Sequence, residues 1–334
     1  MKKLTKRNRS SLVDLLTLLL LAAVYAGVAV LLYSGRLTRQ ISNMLIPISV
    51  YIVLAVSLNL VVGLLGELSL GHAGFMSVGL FSGCLVSIAL NNSGLPAPVR
   101  LPLSMLFGGL IAVAFGFIVG LPALRLKGDY LAIVTLACGE IIKNVITNLE
   151  ITGGALGLNT TSIYSNSKKL LPYAIVLVLL TVLVMMNLKN SRHGRAIMAI
   201  RDNRIAAESI GIDVTRFKLI VFMVAAFFAG AAGTLYGHAF ANIKATSFDY
   251  NMSIEILVIV VLGGMGSVPG SVLAAIILQA LPEALREFAD YRMLVYAIVL
   301  IIGMLCTNNP KLRALFGKIL PKKKSAPEGG GDNG

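Results

Sequence analysis

The chain has 334 residues, 57% of them hydrophobic and only 13% charged, with a mean hydropathy of +0.85. A water-soluble domain carries about 25% charged residues, so this composition excludes one and implies a surface that faces lipid. The formal charge of +14 does not point to nucleic acid, because basic residues cluster beside apolar runs at 2–9, 189–218 and 311–324 and no basic stripe interleaves with aromatics.

Residues 1–11 form a basic segment expected on the cytoplasmic side. The apolar run 12–33 is long enough to span and has no A-x-A site after it, so an uncleaved first helix is expected. Further candidate spans follow at 44–65, 68–90, 101–124, 129–148, 171–188, 216–237, 252–263, 268–285 and 293–307. The expectation is an all-α polytopic membrane protein with about ten transmembrane helices (8–10) and both termini cytoplasmic. The run 252–263 is short for a hydrocarbon core of about 30 Å at about 1.5 Å per residue. It suggests a half-helix joined to the next span through a Gly-rich turn, a broken or re-entrant hairpin.

Charge supports this count. Twenty basic residues fall in the segments placed inside, counting Arg216 and Lys218 at the inner end of the span 216–237, and eight in those placed outside, with Lys143 within a span. The whole of 12–307 is thus read as one transmembrane domain, interrupted by a cytoplasmic loop at 189–215. Residues 308–334 read as a basic, then disordered, cytoplasmic tail. Cys84, Cys138 and Cys306 lie far apart in apolar runs without metal-ligand spacing, and packing is their expected role.

Residues 57–75 and 256–274 echo each other faintly, each an apolar run entering a Gly/Ser-rich turn before another span. Small residues recur at Ala112, Gly116 and Gly120, and at Ala229, Gly233 and Gly237. Such stripes let helices approach closely, either within the subunit or toward another one. In the basic loop, Asp202 or Asn203 can cap a short helix, Gly211 suits a left-handed terminator, and Asp213 caps the next span with Arg216 and Lys218 at the membrane surface. This is either a solvated loop held by anionic lipid or a docking element whose Ile205, Ala206, Ala207 and Ile210 suit a partner's groove.

Away from the ends of the bundle, ionisable groups in or beside the spans include Glu67, His72, Glu140, Lys143 and Glu255. Each must face protein or water. Glu140 and Lys143, three apart, can neutralise each other; alternatively Glu140 lines a path for a zwitterionic solute. His72, among glycines, is either a packing histidine or a pathway residue, and Glu67 is a further pathway candidate. No catalytic constellation, metal cluster or nucleotide-binding loop is present in the sequence, so no catalytic residue and no bound cofactor is expected.

SLNLVVGLLGELSLGHAGF (57–75), GDYLAIVTLACGEIIKNV (128–145), ITGGALGLN (151–159), GRAIMAIRDNRIAAESIGIDVTRFKL (194–219) and VLGGMGSVPGSV (261–272) together resemble the permeases of branched-chain amino acid ABC importers, of the M type (LivM-like). The resemblance implies a multi-pass protein of the bacterial plasma (inner) membrane that hydrolyses nothing itself. Its implied partners are a second, H-type permease, two cytoplasmic ATPase subunits that bind the ATP, and an extracytoplasmic binding protein for leucine, isoleucine or valine. It also implies coupling to the ATPase through Arg201, Asp202, Arg204, Ala206, Ala207 and Gly211. The segment loosely echoes EAA-x-x-x-G, with Ile205 where the glutamate would stand. Similar motifs occur in permeases for urea and short amides. An ion-coupled secondary transporter using Glu140 or Glu67, and a non-transport scaffold, are the other readings.

Overall fold

The computed structural model describes residues 20–34, 38–124, 126, 128–284, 297, 298 and 301. The chain divides into two compact units, Met1–Ala284 and Leu285–Gly334, and the described helices α1 to α11 belong to the first. The basic N-terminus, the start of the first predicted span, all but three positions of 293–307, and the tail 308–334 lie outside the described residues.

In chain order these helices are α1 (Leu20–Tyr33), α2 (Arg39–Asn59), α3 (His72–Asn92), α4 (Ala97–Ala123), α5 (Asp129–Asn148), α6 (Ser167–Asn190), α7 (Arg192–Asp202), α8 (Arg204–Ser209), α9 (Val214–Gly237), α10 (Tyr250–Gly263) and α11 (Val268–Ala284). Seven helical segments among the described residues are long and apolar enough to cross a membrane, and Leu20–Tyr33 and Val268–Pro282 are shorter apolar helices. The expected short span 252–263 is longer than its apolar run. A 3-10 turn at Ala245–Ser247 extends it to a 19-residue segment, and Asp249, which interrupts the hydrophobic pattern, serves as the cap of α10 by accepting Met252 N–H. The predicted start at 68 is also corrected. Leu68–Gly71 is not helical, because Gly66 takes a left-handed φ of 79° and the chain turns before α3 begins at His72.

The centre is built on α2, α3, α4 and α9. The window of α2 is 89% buried, against 28% for α5, so α2 lies inside the bundle and α5 at its edge. Close approach is licensed by missing side chains. A Cβ on Gly79 would collide with Gly230 Cα, and one on Gly233 with Met76 O, each at under 3.0 Å. Thr234 Oγ1 donates to Gly79 O at 2.8 Å across this seam. On α4, a Cβ on Gly116 would press on Ala226 Cβ, and one on Gly230 of α9 would strike Ala112 Cβ, so the small-residue stripes on α4 and α9 pack within the subunit.

Both glycine turns lie at the same end of the bundle. Since α2 and α10 run in the same sense, α2 ends in a π-helical turn, Leu60–Leu65, and α10 ends at Gly264 (φ 90°). The turns stack directly. A Cβ on Gly63 would strike Gly266 N, and Asn59 bridges the pair. Its Oδ1 accepts Gly266 N–H at 2.7 Å while its Nδ2 donates to Ser267 O (3.1 Å) and Ser271 Oγ (2.9 Å). The loops of the opposite end meet in a two-stranded antiparallel ribbon, β1 (Leu158–Asn159) with β2 (Asn242–Ile243).

Candidate functional site

The basic segment between α6 and α9 folds as two helices, not one. Residues 192–202, read from sequence as loop, form α7: Ser191 Oγ accepts Gly194 N–H at 3.0 Å, and Ile197 and Ile200, three apart, are buried against the bundle. The cap of α8 is Asn203, whose Oδ1 accepts Ala206 N–H at 3.1 Å. Asp202 instead ends α7 and pairs with Arg201 at 3.1 Å. Gly211 terminates the turn at φ 84°, where a side chain would be strained, and Asp213 caps α9 through Arg216 N–H at 3.0 Å.

The predicted coupling residues divide into two sets. Ala206 and Gly211 are exposed, and Arg204 pairs with Glu208 at 2.9 Å along the helix surface. Ile205 and Ile210 are 80% and 74% exposed, an apolar pair that no described residue covers. Ala207, by contrast, is buried in its own chain. Arg201 turns inward: its Nη1 donates to Gly63 O at 3.0 Å while its stem lies over Gly66. Lys189, at the end of α6, donates to Gly266 O at 2.8 Å. The two glycine turns are therefore each held by a basic side chain from the segment that carries the exposed helix.

The intramembrane groups sort as follows. Lys218, expected at the membrane surface, is only 2% exposed and forms an ion pair with Glu67. The lysine is drawn inward because the α2–α3 turn brings a carboxylate to the second turn of α9. Glu140 pairs with Lys143, and its other oxygen accepts Tyr250 N–H at 2.9 Å, tying α5 to the start of α10. His72 is fully packed. Its Nε2 lies 2.8 Å from Ser57 Oγ, whose hydroxyl is also 3.0 Å from Leu54 O. None of Glu67, His72 and Glu140 lines the cavity bordered by α2, α9 and α10.

That cavity, about 560 Å³, opens at the end opposite α7 and α8, between α2, the end of α9 and the start of α10. Tyr51, Tyr236, Phe240 and Phe248 form its walls, Lys244 is exposed on its lining, and Glu255 reaches into it from α10. Glu255 Oε2 accepts from Tyr51 Oη (3.2 Å) and Oε1 from Gln279 Nε2 (2.9 Å). The sequence carried a signal for this: unlike Glu140, Glu255 has no basic residue three or four positions away. Among the described residues no group of His, Cys, Asp and Glu could hold a metal ion.

A family described as branched-chain amino acid transport system / permease component matches residues 40–304. The chain belongs to this family. Among curated relatives of this permease, LivM of Salmonella typhimurium, a high-affinity branched-chain amino acid transport system permease protein, is 36% identical over 80% of the chain and 71% of its own length. The companion protein LivH from the same organism is 24% identical over 77% of the chain and 89% of its own length. The ribose import permease RbsC of Haemophilus influenzae is 26% identical over 80% and 85%. No solved structure matches the chain. As a transport permease with several apolar helices it is a multi-pass protein of the inner membrane.

Proposed function

We propose that the chain is the M-type half of a permease pair in an ATP-driven importer for leucine, isoleucine and valine. The second half is an H-type permease, two cytoplasmic ATPases bind and hydrolyse the ATP, and an extracytoplasmic binding protein delivers the solute. The permease itself performs no chemistry. The single observation that carries the ATP-driven part of this reading is the capped helix α8, which presents Ile205 and Ile210 to the aqueous phase while Arg201 and Lys189 tie its base to both glycine turns. An isolated pump driven by an ion gradient has no use for such a helix.

Movement of a docked ATPase would pass through α7 into the backbone of the two broken hairpins, and the helices would then rock about their glycine seams. Arg204, Ala206 and Gly211 belong to the docking surface; Arg201, Asp202 and Ala207 support it from behind. The 36% identity to a branched-chain amino acid permease supports the solute class.

Two measurements test the reading. Labelled leucine uptake in membranes lacking only this chain should be restored by the wild-type gene and should stop when ATP is removed; preferential uptake of urea or ribose would refute the solute class. Ile205→Glu and Gly211→Pro should leave the protein in the membrane yet abolish its co-purification with ATPase subunits. Undiminished co-purification would refute docking at α8.

A further inference from the structure

Three carboxylates stand out within the membrane-spanning part, and the structure treats one of them differently. Glu67 is paired with Lys218 and Glu140 with Lys143. Among the described residues Glu255 receives hydrogen bonds only from neutral donors, Tyr51 and Gln279, and no lysine or arginine lies within ion-pair distance of it. An acid inside a span is costly unless a positive group meets it. Among the described residues nothing supplies that positive group, and a cation entering the cavity would provide it for the ionised carboxylate.

The cavity's position and lining narrow what that is. It opens at the end of the bundle opposite the basic helices, the end at which a solute would arrive. Tyr51 lies twelve residues into α2, so the floor sits about 18 Å along that helix, close to the middle of a core of about 30 Å. The volume of about 560 Å³ falls in the range of small-molecule sites, roughly 300–1,000 Å³. Tyr236 and Phe240 lie with ring centroids 4.6 Å apart, and Tyr236 meets Phe248 edge-on at 6.4 Å, giving a wall that suits an aliphatic side chain and can also face a cation. Lys244 supplies a positive group on the same lining.

A second lining acid, Asp249, is engaged by Met252 N–H and Asn251 Nδ2; Glu255 at depth, Lys244 elsewhere on the lining and aromatic walls then describe a receptor for a zwitterion with an apolar side chain. We infer that this cavity is the first station of the solute inside the permease. Glu255 receives the ammonium group, held in place by Tyr51 and Gln279; Lys244 receives the carboxylate; and the aromatic wall takes the branched side chain. The inference rests on the proposed importer role and adds to it that the subunit itself recognises the amino-acid head group.

The test uses the assembled complex of both permeases and the ATPases in proteoliposomes with leucine-loaded binding protein, recording uptake and ATP hydrolysis together. Glu255→Gln, which keeps shape and removes charge, should lower leucine uptake per ATP by about ten-fold or more, because a charged contact made by the solute is lost. Glu255→Asp should recover part of it. Ser247→Trp, at an exposed lining position, should obstruct the cavity and give the same split between uptake and hydrolysis. If Glu255→Gln fails to assemble, Ser247→Trp decides. Wild-type uptake per ATP in Ser247→Trp, or in an assembled Glu255→Gln complex, overturns the assignment while leaving the permease reading intact. Absence of ATP-dependent uptake by the wild-type complex would instead overturn the permease reading.

Discussion

Burying Lys218 beside Glu67 removes two charges from water, so each survives there only because the other is present. Removing one partner of such a pair leaves an uncompensated charge and costs about 3–5 kcal/mol, whereas replacing both with neutral residues of similar size is far milder. Lys218→Met alone should therefore lower the thermal midpoint of the detergent-solubilised protein strongly, and Glu67→Gln with Lys218→Met should recover most of it. Additive losses in the double variant would show that the two side chains act independently. The sequence shows both residues but not their meeting, since 151 positions separate them. By contrast, Glu140 and Lys143 share one helix face, and their pairing follows from three-residue spacing alone. Local chemistry was legible; chemistry set by how the α2–α3 turn lies against α9 was not.

At the level of elements, the stacked glycine turns are the point where packing and transmission coincide. A Gly63→Ala substitution would drive its methyl group into Gly266 N and Asn59 Oδ1, both under 3.0 Å away, so the turns must separate. Overpacking of this kind costs about 1–3 kcal/mol or more. A different change keeps the packing and cuts the link: Arg201→Gln with Lys189→Met removes both charged donors to the turns. In the assembled complex this pair should leave ATP hydrolysis running while leucine uptake per ATP falls several-fold, about the loss expected when charge-assisted bonds of this strength are removed. Uptake per ATP at the wild-type value would mean that force reaches the bundle by another route. The sequence revealed the two turns as glycine-rich breaks and even their mutual resemblance. It did not reveal that they touch, because a turn's own residues say nothing about which other turn it meets. The helix α7 was also hidden: Gly194 and a run of charges mask a pattern whose buried positions are few, and only the Ser191 cap with Ile197 and Ile200 betrays it.

For the molecule as a whole, helix direction ties sidedness to charge. The segment α7–α8 and both glycine turns share one end; the 3-10 turns after α5, the β1–β2 ribbon and the cavity share the other. Among the described residues basic side chains are more numerous at the first end, and on the positive-inside rule we propose that this end faces the cytoplasm and the cavity faces outward. The proposed orientation rests on how many Lys and Arg flank each apolar run and not on packing. It has a direct consequence for accessibility. Ile205 and Leu156 are 80% and 82% exposed at opposite ends, so single cysteines there, in a background with Cys84, Cys138 and Cys306 replaced by alanine, should react from opposite sides. A membrane-impermeant maleimide added to intact cells should label Leu156→Cys and spare Ile205→Cys, which should react only after permeabilisation. Binding-protein delivery and ATPase docking require this asymmetry. Labelling of both positions from outside would place the docking helix and the cavity mouth on one face, and neither an ATPase-coupled mechanism nor an outward solute station could then stand.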